Sequence, residues 1–413
     1  MLPKLLSCWN KLKAMCVKRS NCGGLKMTNI RILNDEEMQE AILLADRIFR
    51  DAEQVSMATG FPYLYATAYS QSFGIYEDNR LVGFNGLLPA VLRVGPAAIN
   101  VLSLGSVCID HEARGRGYAS SMLDKVKEHV KQAGASLLLV TGTRSLYTRA
   151  ACHLFGTVTR VLLDQPHAQS IAASQDSQPF HLRAMEPYEW LKLHAVARSR
   201  NVRYEQSVWD LAGLVKAEAY ASCVKLTHQV LVAERDGRLA AFAVVAIPKG
   251  TLKSRRPPFA VEWAGDASAI ASLLAYATIN NNLPVLEVPV NWHENELLER
   301  FNSIPYTSEQ NLGTVYMADI EQFVEEIRPY WLQHDAAVVG AQLNIRLANK
   351  DEDGGDEYEL SMPHLPHLRL SGPQLTALLF TPHAQLNLPQ DWAAALRPIV
   401  PIPLPSTSGL NYI

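Results

Sequence analysis

Paired cysteines, long apolar runs and an excess of one charge are all missing from this sequence. Its six cysteines (Cys8, Cys16, Cys22, Cys108, Cys152 and Cys223) form no C-x-x-C pair and no metal-ligand spacing. That argues against a disulfide framework and a structural metal, and for a reducing, cytoplasmic setting. His364 and His367 have no third ligand nearby and read as exposed loop residues, so no metal is expected. No apolar stretch reaches transmembrane length, which argues against stable membrane insertion. Thirty-eight basic and 41 acidic side chains give a net charge of −3, so no basic footprint for nucleic acid is present. The length, 413 residues, predicts two or three domains, each large enough to bury a core.

Residues 1–26 stand apart. They hold Lys4, Lys11, Lys13, Lys18, Arg19 and Lys26, no acidic residue, and three of the six cysteines. The apolar stretch between Leu2 and Leu6 is too short for a signal peptide. The segment reads as a leader outside the fold, with Met27 as the natural start.

From Met27 onward, strand and helix patterns alternate. Residues 30–33 read as a strand, and Asn34 with Glu37 forms a capping box for a helix over 35–49. Aromatics follow at Phe61, Tyr63, Tyr65 and Tyr69; they suit either an acceptor pocket or core under a loop. A hairpin turns at Asp78-Asn79, with Pro89 interrupting its return strand, and a strand over 98–109 leads into a glycine-spaced basic turn. A helix over 120–132 presents Met122, Leu123, Val126 and Val130 on one face, and an apolar strand, a helix over 145–153 and a strand over 158–163 follow. Residues 166–180, rich in Gln, Ser, Ala and Pro, read as a linker. The order then repeats over 181–328, but the position of the glycine turn reads Ala264-Gly265-Asp266-Ala267-Ser268, without arginines and with an acid that repels a phosphate. Residues 329–413 hold short strands, one helix over 374–380, a solvated acidic turn over 351–356 and a proline-rich extended tail. The fold class is therefore α/β: two tandem mixed-sheet domains (27–165 and 181–328, joined by the linker 166–180) and a small α+β unit over 329–413.

The glycine turn runs Arg114-Gly115-Arg116-Gly117-Tyr118-Ala119 after the strand segment Val107-Cys108-Ile109. A strand, a glycine-rich turn and a helix N-terminus suit a diphosphate: backbone N–H groups converge, the helix end adds positive potential, and glycines admit close approach. An ordinary basic strand–helix turn has the same residues. The order is neither that of a P-loop nor that of a dinucleotide fold. Cys108 has no adjacent base and reads as a buried strand thiol.

Arg114, Gly117 and Ala119 resemble motif A of the GNAT acyltransferases, Arg/Gln-x-x-Gly-x-Gly/Ala. The resemblance implies that Arg114 to Ala119 hold the pyrophosphate of acetyl-coenzyme A and that N–H groups of Val107, Cys108 and Ile109 polarise the thioester. Tyr147, in Arg144-Ser145-Leu146-Tyr147-Thr148-Arg149, resembles the family's I-Y-x-R segment, which implies the acid that protonates the leaving thiolate. A Tyr packing at a helix start is the plainer reading. The three-part order resembles the enhanced-intracellular-survival acetyltransferases. Those have an active first domain, a degenerate second one and a C-terminal domain like sterol carrier protein. That likeness implies a base at the C-terminal carboxylate, here Ile413, and homo-oligomers. Asp110, His111 and Glu112 also flank the turn but suit a surface bend. The implied activity is N-acetyl transfer to a primary amine of a small molecule or peptide by direct attack in a ternary complex. Two alternatives are carried: an aminoacyl-tRNA-dependent transferase with paired domains, and a non-catalytic coenzyme-binding sensor or scaffold.

Overall fold

The computed structural model describes residues 28–174, 179–333, 341–350 and 355–413; the leader 1–26 and Met27 lie outside them. The first sheet contains β1 (Thr28–Ile32), β2 (Phe73–Glu77), β3 (Arg80–Val94), β4 (Ala97–Ile109), β5 (Leu137–Val140) and β6 (His153–Leu154). The second contains β7 (Thr157–Asp164), β8 (His181–Ala184), β10 (Leu226–Arg235), β11 (Arg238–Pro248), β12 (Phe259–Gly265), β13 (Val285–Asn291) and β14 (Tyr306–Gln310); β9 (Val202–Tyr204) and β15 (Thr314–Met317) join the first sheet. Their orders are β1-β2-β3-β4-β5-β15-β6, with β9 on β3, and β14-β7-β13-β12-β11-β10-β8. Each is a mixed sheet of the expected class.

Local chemistry sets the first sheet's edges. Helix α1 (Asp35–Phe49) starts at the Asn34–Glu37 capping box and buries Met38, Ala41, Leu44 and Ala45 on one face. Asp78 and Asn79, both at positive φ, close the β2–β3 hairpin. Pro89 does not interrupt β3, contrary to the sequence expectation. It lies opposite Leu102 of β4, at a level where β3 has neither β2 nor β9 on its other side, so its missing N–H removes no ladder bond.

The two sheets exchange strands. β7, expected to finish the first domain, pairs with β13 and β14 of the second sheet, and β15 inserts between β5 and β6 of the first. The boundary at 165 therefore cuts sequence, not structure. The expected linker also begins as a helix, Gln165–Ala173, because Asp164 caps the His167 N–H and Pro166 suits a helix's first turn. The helix expected over 145–153 stops at Arg149 (Ser145–Arg149), where Ala151 takes a positive φ and the chain turns into β6.

Beyond helix Ile320–Trp331, strands β16 (Asn344–Lys350), β17 (Asp356–Ser361) and β18 (Leu368–Ser371) form a small antiparallel sheet. Its core is continuous with the first sheet: Leu92, Ile99, Val315, Phe323, Trp331, Leu360, Phe380 and Trp392 share one cluster. Trp331 is fully buried and donates its indole N–H to the Ile399 carbonyl at 3.1 Å. Trp331→Ala is expected to lower stability by about 3–5 kcal/mol, from the cavity and the orphaned carbonyl, as measured by denaturant unfolding.

Candidate active site

The glycine turn stands at the end of β4. Asp110 is buried there; it caps the turn His111–Ala113 through the Glu112 N–H (3.2 Å) and pairs with Arg47 at 2.7 Å. That holds Asp110 structurally and leaves His111 and Glu112 on the surface, the surface-bend reading. Gly115 and Gly117 have φ of +77° and +79°, and no atom lies within 4 Å of where a Cβ would sit on either. Gly117 is the N-cap of helix α2 (Tyr118–Gln132), and no side chain caps it. The first-turn N–H groups therefore open onto unfilled space, as an anion site requires. The corresponding helix of the second sheet, Ala267–Asn280, is closed instead: Asp266 accepts from the Ala269 N–H at 2.9 Å. Arg114 stays at the turn, donating Nε to the Ile109 carbonyl at 3.3 Å. The Arg116 side chain turns away to the Glu77 carboxylate and the Glu112 carbonyl, and the Tyr118 hydroxyl also reaches Glu77, at 3.2 Å. So the turn's charge comes from Arg114 and from main-chain N–H groups.

Beside the turn the sheet splits. β4 and β5 pair in parallel from Val101/Leu137 to Leu104/Val140, and a last bond joins the Thr141 N–H to the Leu104 carbonyl at 3.4 Å. β4 then continues to Ile109 alone on that side. A bulge follows at Ser106-Val107, opposite Asn85, with Ser106 at φ +49°. Past the bulge Cys108 is opposite Phe84, and the Asp110 N–H donates to Val82 at 2.7 Å. Strand alternation therefore directs the Cys108 main chain toward β3, and those of Val107 and Ile109 into the split. Of the three expected carbonyl-polarising residues, Val107 and Ile109 face the opening.

Other groups converge at this split. Tyr147 is buried, its ring 3.4 Å from the position of a Cβ on Gly142, and burial raises its pKa. Ile413 is also buried. Its carbonyl carbon would lie 2.3 Å from a Cβ on Gly105, so only glycine leaves room for Ile413 against the bulge. The Tyr147 and Tyr412 phenols are close enough that each charge would repel the other, and burial raises the Tyr412 pKa as well. Burial pushes the Cys108 thiol up to about 12, which leaves it a poor nucleophile. Of the aromatics, Phe61 and Tyr65 are core: Tyr65 stacks on Phe84 at 5.4 Å, and Phe61 lies 6.1 Å from Tyr412. Tyr63 bonds to the Trp209 carbonyl and Tyr69 is exposed. His367 pairs with Glu359 at 3.1 Å, while His364 lies exposed.

Sequence reading missed two residues here, Asn85 and Ser106. The Asn85 amide is buried beside the bulge with no hydrogen-bond partner among the described residues, and the buried Ser106 hydroxyl lies within reach of the Tyr65 hydroxyl. Buried orphans of this kind each cost about 1–3 kcal/mol unless water or ligand satisfies them. Asn85 had a signal: it is the polar residue inside the apolar run Leu81 to Leu88.

Residues 29–154 match the acetyltransferase (GNAT) domain family. A comparison with curated proteins finds no match. Among solved structures, a probable N-acyltransferase from Enterococcus faecalis V583 superposes with a TM-score of 0.62 at 11% identity, covering 85% of this chain and 86% of that one. A GCN5-related N-acetyltransferase from Anabaena variabilis gives 0.56 at 11%, covering 84% and 85%. Eis1 from Mycobacterium abscessus gives 0.54 at 11%, covering 82% and 86%. The chain thus carries a GNAT acetyltransferase domain. Across both sheets it shares the fold of these three structures.

Proposed function

We propose that the first domain transfers an acetyl group from acetyl-coenzyme A to a primary amine by direct attack in a ternary complex. The observation that carries this is the contrast between two helix ends: that of α2 is uncapped and open beside a split sheet, whereas its counterpart in the second domain is capped by Asp266. In this reading Arg114 and the N–H groups of Gly115 to Ala119 hold the pyrophosphate. The free edge of β4 receives the pantetheine arm, and the Val107 and Ile109 N–H groups stabilise the oxyanion. The Ile413 carboxylate takes the amine's proton, directly or through water held by Ser106 and Tyr65. The neutral amine attacks the thioester carbon. Collapse of the tetrahedral intermediate breaks the carbon–sulfur bond, and Tyr147 gives its proton to the departing thiolate.

The raised pKa of Tyr147 suits that role, since the phenol stays protonated across and above neutral pH. Tyr147→Phe is expected to lower kcat by about 10²-fold or more with little change in the KM for acetyl-coenzyme A. In the wild type, kcat is expected not to fall on the alkaline side until above pH ~10. Steady-state assays with an amine panel test the proposal. Acetyl transfer to none of them, or a Tyr147→Phe enzyme of full activity, counts against it.

A further inference from the structure

The second sheet repeats the split of the first, and the C-terminal segment occupies part of it. β12 and β13 pair in parallel only at Phe259/Glu287 and then separate. In the first domain no strand pairs with β4 beyond the matching point; here the C-terminal segment lies along β12, and its Ser408 and Asn411 line one cavity with Glu262 of β12 and Pro289 and Asn291 of β13. Leu410 is buried among Phe242, Val244 and Val261. Its N–H donates to the Glu262 carboxylate at 3.3 Å. A Cβ on Gly409 would lie 2.6 Å from that carboxylate and 3.5 Å from the Val261 carbonyl. Gln206 bonds to Asn411 at 2.5 Å, and the Tyr412 ring stacks on Tyr220 at 4.5 Å. Beside the tail lies a cavity of about 50 Å³, room for one or two waters, and a separate pocket of about 430 Å³ opens at the head of the Ala267–Asn280 helix, lined by Trp263, Gly265 and Glu294.

Glu262 is built into this cleft. Its second oxygen pairs with Arg200, which also holds Glu294 at 3.0 Å, and Glu294 accepts the Trp263 indole N–H at 2.6 Å. A carboxylate inside a domain core is costly unless it is paired and fully used. Here its remaining partner is the tail. Three residues beyond Leu410, Ile413 lies against Gly105 of the other sheet.

We propose that the cleft of the second sheet is a receptor for the C-terminal segment, and that Glu262, fixed by Arg200, is the positioning residue that sets where Ile413 sits beside the first domain's split. The seating itself is independent of the reaction; its effect on turnover rests on the acetyl-transfer reading above.

The test uses the full chain in three forms: wild type, Gly409→Val, which crowds Glu262 from the tail side, and Glu262→Ala, which removes the Leu410 acceptor while Arg200 keeps Glu294. Carboxypeptidase release of the last residues, followed by mass spectrometry, reads the seating. Steady-state kinetics reads its consequence, and circular dichroism confirms the fold. Both variants should release the terminal residues at least ~10-fold faster than wild type. Both should lose kcat by a similar factor while the KM for acetyl-coenzyme A holds, with circular dichroism at the assay temperature showing a fully folded chain, so that the loss is not a smaller fraction of folded enzyme. Release at the wild-type rate in Gly409→Val overturns the proposal, even if Glu262→Ala fails to fold. Faster release with unaltered kcat keeps the receptor and removes the link to catalysis. A wild type that never turns over refutes the acetyl-transfer reading instead, and the release rates still decide the cleft.

Discussion

Replacing Gly117 by glutamate is expected to abolish acyl-coenzyme A binding while leaving the fold intact. Gly117 has φ +79° and caps α2 without any side-chain bond. A glutamate there is strained by about 1–2 kcal/mol in the left-handed conformation. It meets no neighbouring atom, since nothing lies within 4 Å of the Cβ position, so the cost to the domain stays small. The cost to the ligand is large. The new carboxylate stands over the N–H groups that the pyrophosphate needs, competes for them as a cap, and repels its charge. A loss of about 3 kcal/mol in binding, or more than 100-fold in Kd, follows. Calorimetric titration with acetyl-coenzyme A reads the binding, and thermal unfolding reads the fold. Binding at the wild-type Kd would remove the turn from the site.

Gly105→Val is expected to do the opposite: coenzyme binding persists and turnover collapses. The added side chain would occupy the space of the Ile413 main chain, 2.3 Å from its carbonyl carbon. β4 is held by β3 along most of its length, whereas the tail end can move, so the tail yields. In the proposed reaction this displaces the group that takes the amine's proton, so kcat is expected to fall by about 10²–10⁴-fold. Removing residues 409–413 should give the same result, with Tyr412 and Leu410 lost from their sites as well. A Gly105→Val enzyme with wild-type kcat would take Ile413 out of the reaction.

Much of the first domain was legible because its signals are local. The Asn34–Glu37 capping box, the Asp78-Asn79 turn and the Met122/Leu123/Val126/Val130 face all formed where the sequence placed them. The glycine turn Arg114 to Ala119 stands at the head of its helix for the same reason. Non-local facts were hidden. No periodicity tells that β7 crosses to the second sheet or that β15 returns to the first, because exchanged strands satisfy the same apolar pattern in either place. Pro89 misled, since whether a missing N–H matters depends on a neighbouring strand far away in sequence. Arg116 looked like a phosphate ligand, but its side chain is turned by Glu77, a residue 39 positions earlier. The tail's apolar Leu410 and Tyr412 hinted at docking, yet its seat between β12 and β13, and Glu262 beneath it, appear only when the chain is folded.

One titration tests the central claim most directly: acetyl-coenzyme A into the wild-type chain, with the stoichiometry measured. An open first cleft and a second one occupied by the tail predict one coenzyme bound per chain, lost in Gly117→Glu. No binding, or two equivalents per chain, would contradict the account.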